Sequence, residues 1–121
     1  MIRRLHVGPR LSEAAIAHGV IHLAGQVPEN HPEGDIAAQT REVLGHVERL
    51  LAECGSDKGH LLNVQIFLAD IADIAAMNAV WDAWVVPGAT PPRATVQAAL
   101  ADPRWRIEVV ATALQAGEGG R

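Results

Sequence analysis

The run Trp105-Arg106-Ile107-Glu108-Val109-Val110-Ala111-Thr112-Ala113-Leu114 alternates. Ile107, Val109, Ala111 and Ala113 fall on one side of an extended chain, and Arg106, Glu108, Val110 and Thr112 on the other. A strand of this kind has one dry face and one mixed face. It belongs in a sheet that helices cover on one side, with the other side left for some further cover. The carboxylate of Glu108 stands out, because a charge inside a sheet costs free energy unless it is paired or used.

Two neighbouring segments read the same way. Leu62 to Leu68 alternates, with Leu62, Val64, Ile66 and Leu68 facing one way and Asn63, Gln65 and Phe67 the other. In Pro91-Pro92-Arg93-Ala94-Thr95-Val96-Gln97, an arginine enters a β-branched segment directly after two prolines. Alternation over 92–98 puts Arg93, Thr95 and Gln97 on one face and Ala94, Val96 and Ala98 on the other. We expect Arg93, Thr95 and Glu108 to share the uncovered face, away from the helices. On pattern alone a cross-strand Arg93–Glu108 ion pair is the plainer reading. A guanidinium is also the natural bidentate partner of a carboxylate ligand, which makes catalysis or binding the sharper one.

Working outward, short β-type runs occupy 2–7, 14–18 and 20–24, with His18-Gly19 as a tight turn between the last two. Residues 25–34 hold two prolines and two glycines and read as a loop. A helix follows from about Asp35 to Cys54, with Asp35 as N-cap and Gly55 as its stop. Ile36, Thr40, Val43, Leu44, Val47, Leu50 and Leu51 make its core stripe, and Arg41, Glu42, Glu48, Arg49 and Glu53 its wet side. A second helix starts at Asp70 or Asp73 and ends near Val86, with Ile74, Met77, Trp81, Trp84 and Val85 inward. The last strands span roughly 92–98 and 105–115. The order is βββαβαββ: an α+β domain over 1–116 with a frayed tail at 117–121. Two helices cover one face of a six-stranded sheet, so the semi-polar second face calls for another copy of the chain.

Composition narrows the function. The 121 residues suit one domain, and a net charge of −4 is wrong for a nucleic-acid binder. A single cysteine, Cys54, excludes an internal disulfide framework and points to a reducing compartment. No apolar run approaches bilayer length. These features predict a soluble cytoplasmic protein that binds neither nucleic acid nor membrane. The six histidines (His6, His18, His22, His31, His46 and His60) form no metal-binding spacing and read as surface or turn residues. Cys54 reads as a buried small hydrophobe. Ser12 lacks the G-x-S-x-G elbow, and there is no phosphate-cradling glycine loop. Trp81 and Trp84 read as core rather than as a stacking platform.

Several strings together carry a resemblance: Leu23-Ala24-Gly25-Gln26-Val27-Pro28, Ala38-Gln39-Thr40, Ile66-Phe67-Leu68-Ala69-Asp70, Met77-Asn78-Ala79-Val80-Trp81, Pro91-Pro92-Arg93-Ala94-Thr95-Val96 and Ile107-Glu108-Val109. In order and over nearly the whole chain, they resemble the Rid (YjgF) family of reactive intermediate deaminases. Ala76 to Val86, with Thr95-Val96-Gln97-Ala98, looks like its YoaB branch. The resemblance implies a chorismate-mutase-like fold and a homotrimer with clefts between subunits. It implies hydrolysis of 2-imino acids and enamines, such as 2-aminoacrylate, to 2-keto acids and ammonia, with no cofactor and no metal. It implies that Arg93 clamps the substrate carboxylate and Glu108 positions or activates water. Gly25 and the backbone at Thr95 would line the pocket, with Asn78 in support. Three positions depart from the family pattern: Leu11 where an aromatic is usual, Ala24 where a hydroxyl is usual, and Thr95 where a cysteine is usual. Leu11 and Ala24 thus make the implied cleft wall less polar. The alternative is a non-catalytic trimer that binds small carboxylates or a protein partner.

Overall fold

The chain runs β1 (Arg3–Val7), β2 (Ser12–Ala17), β3 (Val20–Leu23), α1 (Ile36–Glu53), β4 (Leu61–Leu68), α2 (Ile74–Trp84), β5 (Arg93–Gln97) and β6 (Ile107–Leu114), the order expected. This computed structural model describes residues 1–117, so the expected tail lies outside the described residues from position 118 onward. The strands form one sheet in the order β1-β2-β3-β6-β4-β5. β4 and β5 run parallel, and the other neighbours are antiparallel. No helix among the described residues is long and apolar enough to cross a membrane.

Local chemistry explains the elements. The β2–β3 hairpin turns on His18 (φ 51°) and Gly19 (φ 77°), the two consecutive positive φ values of a tight two-residue turn. Asp35 caps α1 by accepting from the Ala38 N–H at 2.8 Å. The helix stops in the left-handed Gly55 (φ 78°), whose N–H reaches the Ala52 carbonyl while that of Ser56 reaches Leu51. The whole expected α1 stripe is buried. α1 lies over β6 and β3 and packs against α2. Ile107, Val109, Ala111 and Ala113 of β6 are buried beneath it.

Four expectations need correction. Asp70 caps a 3-10 turn at Ile71–Asp73 rather than α2 itself, and Asp73, at the α2 N-cap position, makes no side-chain cap bond. Leu62 is 43% exposed while Leu61 is buried. A register shift between Leu61 and Asn63 puts one extra residue into the strand, so the dry phase begins again at Val64. Glu42 is not on the wet side: its side chain is only 8% exposed. His46 is not a surface histidine, for it is buried one turn beyond Glu42.

Those last two residues form a clip. Glu42 accepts the backbone N–H groups of Asn30 and His31 at 2.9 and 3.0 Å, and it bonds the rings of His31 and His46. Arg49 Nη1 lies 3.1 Å from His46 Nδ1. A guanidinium can only donate, so Nδ1 accepts and Nε2 carries the proton given to Glu42. Burial works to raise the Glu42 carboxyl, but the bonds from Asn30, His46 and His31 together hold it below its ordinary value of 4.5. A second buried hub is Gln39. Its amide nitrogen donates to the carbonyls of Pro32, Gly34 and Arg104. Its oxygen accepts the Arg106 N–H at 2.7 Å, one residue before β6 begins.

Two outcomes follow from these hubs. Gln39→Leu leaves one N–H and three carbonyls without their partner, so a urea melt should show a loss of about 2–4 kcal/mol. The Glu42 contribution is complete above pH 4.5 and disappears as the pH falls through the lower folded value. Amide exchange at Asn30 and His31 should therefore accelerate in acid before the core amides of α1 do.

Candidate active site

Arg93 opens the edge strand β5 and is half-buried. Its parallel register sets it beside Val64, and sets Thr95 beside Ile66. Val64 and Ile66 are buried on the helix side, so Arg93 and Thr95 face the helices. The guanidinium carbon lies 5.1 Å from the ring centre of Trp81 on α2. No carboxylate of the described residues is within ion-pair distance of Arg93. Two buried oxygens on these same elements also have no hydrogen-bond partner, Thr95 Oγ1 and Asn78 Oδ1. Asn78 sits one turn before Trp81 on α2 and so shares its face. Unsatisfied buried polar atoms are few in native proteins, and each calls for an explanation.

Glu108 lies elsewhere. It is half-buried on β6 beside Phe67, on the face away from the helices. Gln26 exchanges backbone hydrogen bonds with Val109 in both directions, at 2.8 and 3.0 Å, and this brings Gly25 against Glu108. The buried Gln26 side chain donates to Glu13 Oε1 and to the Ala24 carbonyl, which fixes the approach to Gly25. A Cβ on Gly25 would stand 2.0 Å from Glu108 Oε2. Only glycine therefore fits there while the Glu108 carboxylate keeps this place. Ala24 is half-buried and pairs through its N–H with the Glu13 carbonyl, and Leu11, 57% exposed, lies just before β2 at the same end of the sheet.

The expected residues thus fall into two groups. Arg93, Thr95 and Asn78 gather on the helix side at the β5 edge. Leu11, Ala24, Gly25 and Glu108 gather at one end of the opposite face. Arg93 and Glu108 do not share a face, contrary to expectation, and the cross-strand ion pair is not formed. They lie two strands and three residue rows apart, about 14 Å between Cα positions from strand spacing and rise alone. The reason is that β5 is an edge. α2 covers it only in part, so polar residues stand on its helix side: Gln97 accepts the Ile71 N–H there, and Arg93 lies on Trp81. Ala94 and the 47%-exposed Val96 take the open face instead. Cys54 is buried, and its burial pushes the thiol up, which leaves an unreactive packing residue.

Residues 1–115 match the protein family described as Endoribonuclease L-PSP. The chain belongs to that family, the YjgF or Rid group. A RutC family protein of Haemophilus influenzae is 49% identical over 90% of this chain and 94% of its own length. The RutC family protein YoaB of Escherichia coli is 42% identical over 89% and 93%. A crystal structure of a YjgF-family member from Neisseria meningitidis superposes with a TM-score of 0.92 at 52% identity, covering 98% of each chain. More distant, at 30% identity over 90% of this chain and 89% of its own, is an Escherichia coli protein named 2-iminobutanoate/2-iminopropanoate deaminase. The YjgF resemblance and its YoaB branch are thus shown, as is the α+β fold of this group.

The contact between Gly25 and Glu108 has a direct consequence. Gly25→Ala must push the Glu108 carboxylate aside, and that carboxylate is the free end of a flexible side chain. The variant should melt within about 1 kcal/mol of wild type, while its crystal structure shows Glu108 turned away from position 25.

Proposed function

We propose that the protein is a cytoplasmic deaminase that hydrolyses 2-imino acids and their enamine tautomers to 2-keto acids and ammonia, and that it works as a homotrimer. The observation that carries this reading is Arg93: a half-buried guanidinium without a carboxylate partner among the described residues. A planar fork with free donors is built for a carboxylate ligand. The distant relative named as an imine deaminase supports the choice of substrate; the nearer relatives carry family names only.

One small substrate cannot touch Arg93 and Glu108 of the same chain, given their separation and opposite faces. Each site therefore takes its carboxylate clamp from the β5 edge of one copy and its water-holding group from the open face of the next. In this assembly Arg93 grips the carboxylate, with Thr95 and Asn78 beside it. Leu11, Ala24, Gly25 and Glu108 come from the neighbouring copy. Phe67, Val96 and Val110 on the open face supply apolar surface for the neighbour to cover.

The chemistry is a balanced hydrolysis. Water attacks the imine carbon while Glu108 takes its proton, forming a carbinolamine. Return of that proton to nitrogen completes the carbinolamine, and Glu108 then carries the hydroxyl proton to the same nitrogen, so that ammonia leaves as the carbonyl forms. Water supplies the oxygen, and no electron acceptor enters. The substrate hydrolyses unaided, so positioning supplies much of the acceleration. Leu11 and Ala24 make the cleft wall less polar than the usual family pattern, and this favours the alternative of a carboxylate binder without turnover.

The test couples the protein to an amino-acid oxidase that generates 2-imino acids and follows ammonia release. Wild type should exceed buffer, and Arg93→Ala and Glu108→Ala should each fall by about 100-fold. Equal rates for wild type and buffer overturn the enzyme reading, and 2-ketobutyrate binding without turnover then identifies the binder. Mixing the two inactive variants and letting them reassemble should restore roughly a quarter of wild-type sites, because random pairing joins one intact Arg93 edge to one intact Glu108 face that often.

A further inference from the structure

The geometry points to Trp81 as a positioning residue for Arg93, one that holds the guanidinium ready for an anion in place of an internal ion pair. This rests on the carboxylate-clamp reading above and adds what aims the clamp. The sequence alone reads Trp81 as a core residue. It is core, at 6% exposed, but the Arg93 guanidinium carbon lies 5.1 Å from its ring centre. A cation over the face of an indole is attracted by the ring's negative face. That attraction orients the guanidinium without using any of its N–H donors.

The ring is itself held. Trp84 packs against it at 5.6 Å between centroids, tilted 44°. Trp84 in turn donates its Nε1–H to Glu48 at 3.0 Å, and Lys58 sits 5.3 Å above its ring centre. The line Arg93–Trp81–Trp84 thus runs from the β5 edge through α2 to Glu48 on α1. Each ring is pinned on one side, which leaves Trp81 little freedom to tip away from Arg93. An arginine tied to a carboxylate would have to break that pair to bind a ligand; one resting on an indole keeps its donors for it.

The experiment is calorimetric titration with 2-ketobutyrate of wild type, Arg93→Ala, Trp81→Phe and Trp81→Leu, each first shown to be folded and assembled by thermal melt and sizing. Phe keeps an aromatic face and should bind within about threefold of wild type, whereas Leu fills the space without one and should raise Kd by about fivefold or more. In the coupled assay the Leu variant should raise KM by a similar factor and change kcat less than twofold, because Trp81 touches neither substrate nor water. Should Trp81→Leu not fold, Trp81→Met serves as the ring-free variant. A folded ring-free variant that binds like wild type overturns the proposal. So does equal loss in the Phe and ring-free variants, which would mark a packing role alone. If wild type and Arg93→Ala bind 2-ketobutyrate equally, the carboxylate clamp itself falls and this inference with it.

Discussion

Two helices cannot cover six strands. At about 4.8 Å per strand the sheet is roughly 29 Å wide, whereas two helices side by side span about 20 Å. Most of what is functional in this molecule follows from that mismatch. α1 settles over the β3–β6 centre, where the alternating apolar residues of β6 are driest. The β5 edge is left half-roofed by α2, and the opposite face is left bare. A charged side chain tolerates both places, since neither is fully desolvated, and these are where Arg93 and Glu108 stand.

That partition also keeps the two charges from neutralising each other. Side by side on one face, a guanidinium and a carboxylate would form the ion pair that sheets commonly carry, and both would be spent. Set on opposite faces and several rows apart, each stays free of the other and has no ion-pair partner among the described residues. Catalysis in the proposed reading is then tied to assembly: a lone subunit owns both groups and can use neither together. Activity that depends on protein concentration is the natural signature of such a design.

Much of this was legible from local periodicity. The stripe from Ile36 to Leu51 names the buried side of α1, and the β6 alternation names its inner face, because both elements lie where cover is complete and hydrophobicity alone decides orientation. The phase of β5 was not legible. At a half-covered edge, polar residues face the helices as readily as the solvent, so Arg93, Thr95 and Gln97 carry no signal of direction. The extra residue at Leu61–Leu62 was hidden for a similar reason, since two leucines in a row suit either phase. Glu42 and Gln39 were missed because polarity suggests water, while their burial is set by distant backbone groups they satisfy, and His46 is buried through its bonds to the Glu42 and Arg49 side chains. Arg93, Thr95 and Glu108 stand out by pattern and the other residues of the candidate site by family likeness, but only the sheet register tells which of them belong together.

The closeness of Gly25 and Glu108 reaches beyond mechanism to descent. With no room for a β-carbon while the carboxylate holds its place, the two positions are not free to drift separately. A lineage that admits a larger residue at 25 has to shorten or reorient what stands at 108, and one that trades the glutamate away lifts the restriction on its neighbour. Among descendants of this fold, the smallest residue in the loop should therefore be lost together with the acid it shelters, and the pair can be followed as a single inherited unit.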